Sequence, residues 1–120
     1  MKKMVYLAGP YSAPTQDEIK ANVRRAATVA SVLWEKGYAV ICPHMNTYSM
    51  EGDASLGTER WIQEFEKFLT GDFEIISRCD MVVMLSGWEN SKGACAEFVF
   101  AKWLELPVWI WPDFEIYLGE

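Results

Sequence analysis

The apolar positions of this chain alternate between two periods, and the alternation predicts the fold class. Met4 to Ala8 is an unbroken apolar run stopped by Gly9-Pro10, the pattern of a buried strand. After Tyr11 to Pro14, Thr15-Gln16-Asp17-Glu18 forms a Thr-x-x-Glu capping box. The helix it opens places Ile19, Val23, Ala26, Ala30 and Leu33 on one face, and Gly37 is suited to end it. Tyr38 to Cys42 predicts a second strand ended by Pro43, and residues 45–57 have no period and predict a long loop. Thr58 is the expected cap of a helix carrying Trp61, Phe65 and Phe68 on one side. Gly71-Asp72 is expected to interrupt it before a further turn or two at Phe73 to Arg78. Asp80 to Leu85 predicts a central strand, Ala94 to Glu105 a helix, and Pro107 to Trp111 a last strand. Asp113 to Glu120 predicts a tail or a short helix reaching a partner subunit. Strands alternating with helices give an α/β fold: one parallel sheet of four to five strands with helices on both faces.

Length and charge narrow the possibilities. The 120 residues, 51% hydrophobic, make one domain spanning residues 1–120. Seventeen acidic residues against eleven basic ones give a net charge of −6. A nucleic acid polymer or an anionic membrane surface is therefore not the expected partner, because Lys and Arg supply most of that affinity. The positive start is followed by an apolar run that Gly9-Pro10 cuts too early for a secretory signal, and no apolar stretch reaches membrane-spanning length. Three cysteines, Cys42, Cys79 and Cys95, have neither paired nor zinc-binding spacing. A cytoplasmic protein is expected. The aromatic C-terminal segment, with Trp103, Trp109 and Trp111, predicts a homodimer or higher homo-oligomer.

In a parallel sheet, ligands bind beyond the carboxyl ends of the strands. Three loops lie there: Gly9 to Thr15, with Gly9, Pro10 and Ser12; Pro43 to Gly57, with His44; and Gly87 to Gly93, with Ser91, Lys92 and Gly93. Glu97 is expected in or just past the first turn of the helix that follows, where the positive end of the helix favours an ionised carboxylate. Asp72 is the second acid expected at the same crevice. Two carboxylates are the minimum for a retaining displacement at a sugar's anomeric carbon, one attacking and one handling the proton. Each residue also has an ordinary explanation: Glu97 as a complement to the helix dipole, Asp72 as a cap, Tyr6 as core, Ser91 and Lys92 as a solvated turn. His44, the only histidine, has no second ligand near it in sequence, so no metal and no cofactor is expected.

Taken together, Val5-Tyr6-Leu7-Ala8-Gly9-Pro10, Asp72 ahead of Cys79-Asp80-Met81-Val82-Val83, and the run Ser91-Lys92-Gly93-Ala94-Cys95-Ala96-Glu97 resemble the nucleoside 2-deoxyribosyltransferase superfamily. In size and pattern the chain is most similar to the 2′-deoxynucleoside 5′-phosphate N-hydrolases and the small uncharacterised bacterial and phage relatives within it. The resemblance implies a Rossmann- or flavodoxin-like domain whose partner is a nucleoside or nucleotide. It further implies Glu97 as nucleophile at C1′, Asp72 as general acid and Tyr6 orienting the Glu97 carboxylate. Ser91 stands where the nucleotide hydrolases have serine and the nucleoside transferases an acid, which favours a 5′-monophosphate. The chain departs from the family pattern in Phe98-Val99-Phe100, whose bulk is expected to narrow the pocket, and in a first loop without arginine, for which Arg24 or Arg25 is the expected substitute. A binding or sensing module of the same fold without turnover is the alternative.

Overall fold

The computed structural model describes residues 1–11, 13–43 and 58–119, and the side chains of all of these but residues 58–65. Its elements run β1 (Met4–Ala8), α1 (Gln16–Glu35), β2 (Ala39–Ile41), α2 (Thr58–Ile76), β3 (Met81–Met84), a 3-10 turn (Trp88–Asn90), α3 (Lys92–Trp103), β4 (Val108–Ile110) and α4 (Asp113–Gly119). The four strands are all parallel, in the order β2-β1-β3-β4. The predicted α/β class and parallel sheet are what forms, with four strands.

Local chemistry explains most boundaries. The Thr15 hydroxyl accepts the Glu18 N–H at 3.2 Å and opens α1 as the capping box predicts. At the other end Gly37 has φ +97°. Its N–H reaches the Trp34 carbonyl at 3.0 Å and the Tyr38 N–H reaches Leu33 at 3.1 Å, closing the helix in a Schellman turn. The same pair of bonds closes α3, Glu105 N–H to Lys102 and Leu106 N–H to Ala101, but here Glu105 takes the left-handed position at φ +62°. With no glycine to mark the stop, the sequence places that helix end two residues late. One further expectation is corrected. Helix α2 runs unbroken through Gly71-Asp72, so Asp72 lies inside a helix and caps nothing. Of the two forms expected for the C-terminal segment the short helix is the one that forms, and it buries Phe114 in this chain's own core. Trp109, expected at a subunit contact, packs on Phe114 and Tyr117 with centroids 4.9 and 4.8 Å away, and Trp111 lies against the same core.

Strand alternation sorts the core into two layers. Val5, Leu7, Met81 and Val83 face α1 and Phe114 of α4. Tyr6, Ala8, Val82 and Met84 face the other way, onto Ile76 of α2 and Ala94 and Ala101 of α3. The order 2-1-3-4 makes β1/β3 the point where the chain reverses its direction of winding, the place at the carboxyl edge where sheets of this kind bind ligands. Gly9 and Leu85 meet at that edge. A Cβ on Gly9 would stand 2.7 Å from the Leu85 Cβ, so only glycine lets β1 leave the sheet there.

Two glycines therefore predict opposite outcomes. Gly9→Ala should cost about 1–3 kcal/mol through overpacking against Leu85. Gly71→Ala, which meets nothing within 4 Å on an exposed helical position, should gain roughly 0.5–1 kcal/mol. Urea unfolding of the two variants reads both signs.

Candidate active site

Three side chains on three elements meet between the sheet and α2/α3. Tyr6 is the middle residue of β1, paired in register with Ile41 on one side and Val82 on the other, and its side chain is wholly buried. Helix α3 turns Ala94, Glu97 and Ala101 toward the sheet, the i, i+3, i+7 spacing of one stripe. The two alanines let the helix approach closely, and Glu97 between them is 5% exposed, the only charged residue buried among those described. The Tyr6 hydroxyl donates a short hydrogen bond to Glu97 Oε2. Asp72, half-buried on α2, stands close enough to interact with the same hydroxyl and to raise the pKa of Glu97 through its charge.

Burial governs the electrostatics of this cluster. Desolvation pushes the Glu97 carboxyl up to about 8; the hydrogen bond from Tyr6 opposes the rise and the negative charge of Asp72 adds to it. Desolvation also raises Asp72, to about 6, again opposed by Tyr6. Tyr6 is shifted far upward by burial first and then by the two carboxylates, so its hydroxyl remains a donor throughout the working range. Glu97 is the sixth residue of α3, just past the first turn as expected, but there the helix dipole has faded and desolvation, which opposes the ionised form, decides.

The other expected site residues are distributed around this centre. Ser91 is the N-cap of α3, its hydroxyl accepting the Ala94 N–H at 3.2 Å, with Lys92 exposed and Gly93 half-buried in the first turn. Gly9 and Pro10 sit at the β1/β3 edge, where Gly9 has the packing role described above, and Pro10 lies under Gly87. Ser12 and His44 fall outside the described residues. Arg24 and Arg25 lie on exposed positions of α1, about 12 Å along the axis from its start, and Arg25 bonds to Asn22. Neither stands at the carboxyl edge, which corrects the expectation that they replace a missing cation. The aromatic run after Glu97 is engaged with other rings: Phe98 stacks on Trp88 at 4.6 Å, Phe100 packs on Phe73 at 4.4 Å, and Val99 faces solvent. What sequence reasoning misses is the 3-10 turn that precedes α3. Cys95 ties to it, its thiol within 3.6 and 3.4 Å of the Trp88 and Glu89 carbonyl oxygens. Among the described residues no three of His, Cys, Asp and Glu gather as a metal ion would require, and no helix is long and apolar enough to cross a membrane.

Comparison with known proteins adds a family and a fold. The profile described as Domain of unknown function (DUF4406) matches residues 3–110, which include Tyr6, Asp72, Ser91 and Glu97. The chain belongs to the DUF4406 family. Among solved structures it is similar to a 2-deoxyribosyltransferase from the psychrotolerant bacterium Bacillus psychrosaccharolyticus. The two share 21% identity over 89% of this chain and 70% of that one, with a TM-score of 0.58. The fold expected from the sequence resemblance is the fold observed. No curated protein matches the chain.

The raised Glu97 carboxyl makes a stability prediction. Its ordinary value is 4.5 and its folded value about 8, so between these the folded state holds the extra proton and stability falls as pH rises. Glu97→Gln keeps the acceptor for Tyr6 and removes the ionisation. It should gain on the native protein by roughly 1–3 kcal/mol above pH 8 and show little difference near pH 5. Urea unfolding at the two pH values measures this, and equal slopes for both proteins would contradict it.

Proposed function

We propose that this chain cleaves the N-glycosidic bond of a nucleoside or its 5′-monophosphate through a covalent intermediate on Glu97. The observation that carries the reading is the buried Tyr6–Glu97 hydrogen bond with Asp72 beside it, in a fold shared with a 2-deoxyribosyltransferase. A carboxylate placed in a core at the cost of its desolvation is a common mark of a reacting group.

The pair holds one proton across the neutral range, on Glu97 in the resting protein because its carboxyl lies higher than that of Asp72. The productive arrangement has the proton on Asp72 with Glu97 ionised, and the hydrogen bond that Tyr6 donates to the Glu97 carboxylate lowers the cost of reaching it. A Glu97 oxygen then bonds to C1′ as the bond from C1′ to the base nitrogen breaks. The electron pair leaves with the base, which takes the proton from Asp72. In the second half Asp72 accepts a proton from water, the water oxygen bonds to C1′, and Glu97 is released as carboxylate. A second base in place of water gives base exchange. At the other end of the substrate, Ser91 uses an oxygen lone pair to cap α3 and keeps its O–H to donate, with exposed Lys92 adjacent; this supports a 5′-phosphate as the group bound there. Binding without turnover is the second reading, favoured by the fact that Glu97 alone, with its carboxyl at about 8, is mostly protonated at pH 7.

Incubation with a panel of nucleosides and 5′-monophosphates, read by chromatography of free base, separates the two readings. Hydrolysis predicts base release that Glu97→Ala lowers by about 10³-fold or more and Asp72→Asn by about 10²-fold. Intact mass of quenched protein should carry a sugar or sugar-phosphate adduct that the Glu97 variant lacks. Binding with no base released from any substrate would favour the second reading. The rate should be bell-shaped in pH, rising through about 6 and falling through about 8, as the singly protonated pair forms and is lost.

A further inference from the structure

We propose that Phe100 is a positioning residue for the two carboxylates: its ring, seated on Phe73, fixes the separation of Asp72 and Glu97. The assignment rests on the reaction proposed above, and it extends the site to a residue that touches neither substrate nor reacting atoms.

Asp72 and Glu97 come from different helices, and no hydrogen bond or ion pair joins them directly among those found for the described residues. Their relative position is therefore set by how α2 sits on α3. Phe73 follows Asp72 on α2, and Phe100 lies one turn beyond Glu97 on α3. The two rings meet with centroids 4.4 Å apart and planes inclined by 33°. Phe100 also stacks on Trp103 of the next turn, 6.2 Å away at 17°, so a run of three rings joins α2 to α3. Phe98, two residues earlier, carries an equal ring but turns it to Trp88 and the 3-10 turn, away from α2. One helix thus holds two aromatic side chains with separate duties.

Among the described residues, the groups that face the carboxylate pair are Tyr6 from β1 and the pair's own members from α2 and α3. Cys79 shares the same core layer, but its thiol is shifted by burial and by Asp80, and not by the pair. Removing the Phe100 ring frees α2 to shift and admits water beside Asp72. Charge coupling and desolvation then both weaken, and both changes move Glu97 toward the ordinary carboxylate range.

The test compares Phe100→Ala, Phe100→Leu and Phe98→Ala by two readouts: carbon NMR titration of the carboxyls in the free protein, and the pH profile of base release. In Phe100→Ala the higher carboxyl titration and the alkaline limb should both move down by about one pH unit. In Phe100→Leu they should move less in the same direction, and in Phe98→Ala both should stay within about 0.3 unit of native. Should Phe100→Ala fail to fold, the Phe100→Leu shift decides. Unchanged titrations in the Phe100 variants, or an equal shift in Phe98→Ala, would overturn the assignment. The expected titration shifts with no base released by any protein would uphold Phe100 as the residue that sets the pair and count against the glycosidic reaction.

Discussion

The structure is organised around one costly choice, a carboxylate turned inward from α3 onto a sheet that is otherwise apolar. An unpaired charge at such a depth would be expelled or neutralised. Here a phenol in the next layer supplies a hydrogen bond, two flanking alanines bring the helix close enough to make it, and protonation covers what remains. Replacing Glu97 with leucine would satisfy the helix stripe as well or better. Its presence, with Asp72 placed to perturb it, is the feature that packing alone does not require of this α/β domain.

Topology makes the arrangement possible. Because β1 and β3 are the two inner strands, Tyr6 has a hydrogen-bonded neighbour on each side and cannot swing. The crossover from β2 through α2 to β3 brings Asp72 over the same face that α3 covers. The two helices that bear acids share one layer, while α1 and α4 close the opposite face and contribute packing alone. The carboxyl edge between β1 and β3, where Gly9 passes Leu85, is the natural approach to the cluster.

Much of this is legible in the sequence. Continuous apolar runs identify β1 and β3, and Thr15 and Gly37 bracket α1 because capping is local chemistry. Tyr6, Asp72 and Glu97 can be selected as a set by their motif resemblance, yet their meeting depends on sheet order, which no local pattern records. The misread points have a shared cause. Gly71-Asp72 carries the composition of a turn, but packing of α2 along the sheet outweighs a propensity cost of about 1 kcal/mol. Glu105 adopts a glycine-like conformation that its side chain does not advertise. The rings that Trp109 meets within its own chain, Phe114 and Tyr117, come from α4, and no local pattern in the strand announces them. The field acting on Glu97 could not be read without knowing how deep α3 buries it.

The placement of Tyr6 at the centre of the innermost strand has a bearing on how such a domain can evolve. Its backbone belongs to the last region to open in any fluctuation of the fold. A side chain anchored there is insulated from the surface, where most substitutions are accepted without consequence. Residues at the rim, such as those near Ser91, can change while the hydroxyl that holds the buried acid stays put. Variation at the surface and constraint on the buried pair then fall on separate parts of the same small protein.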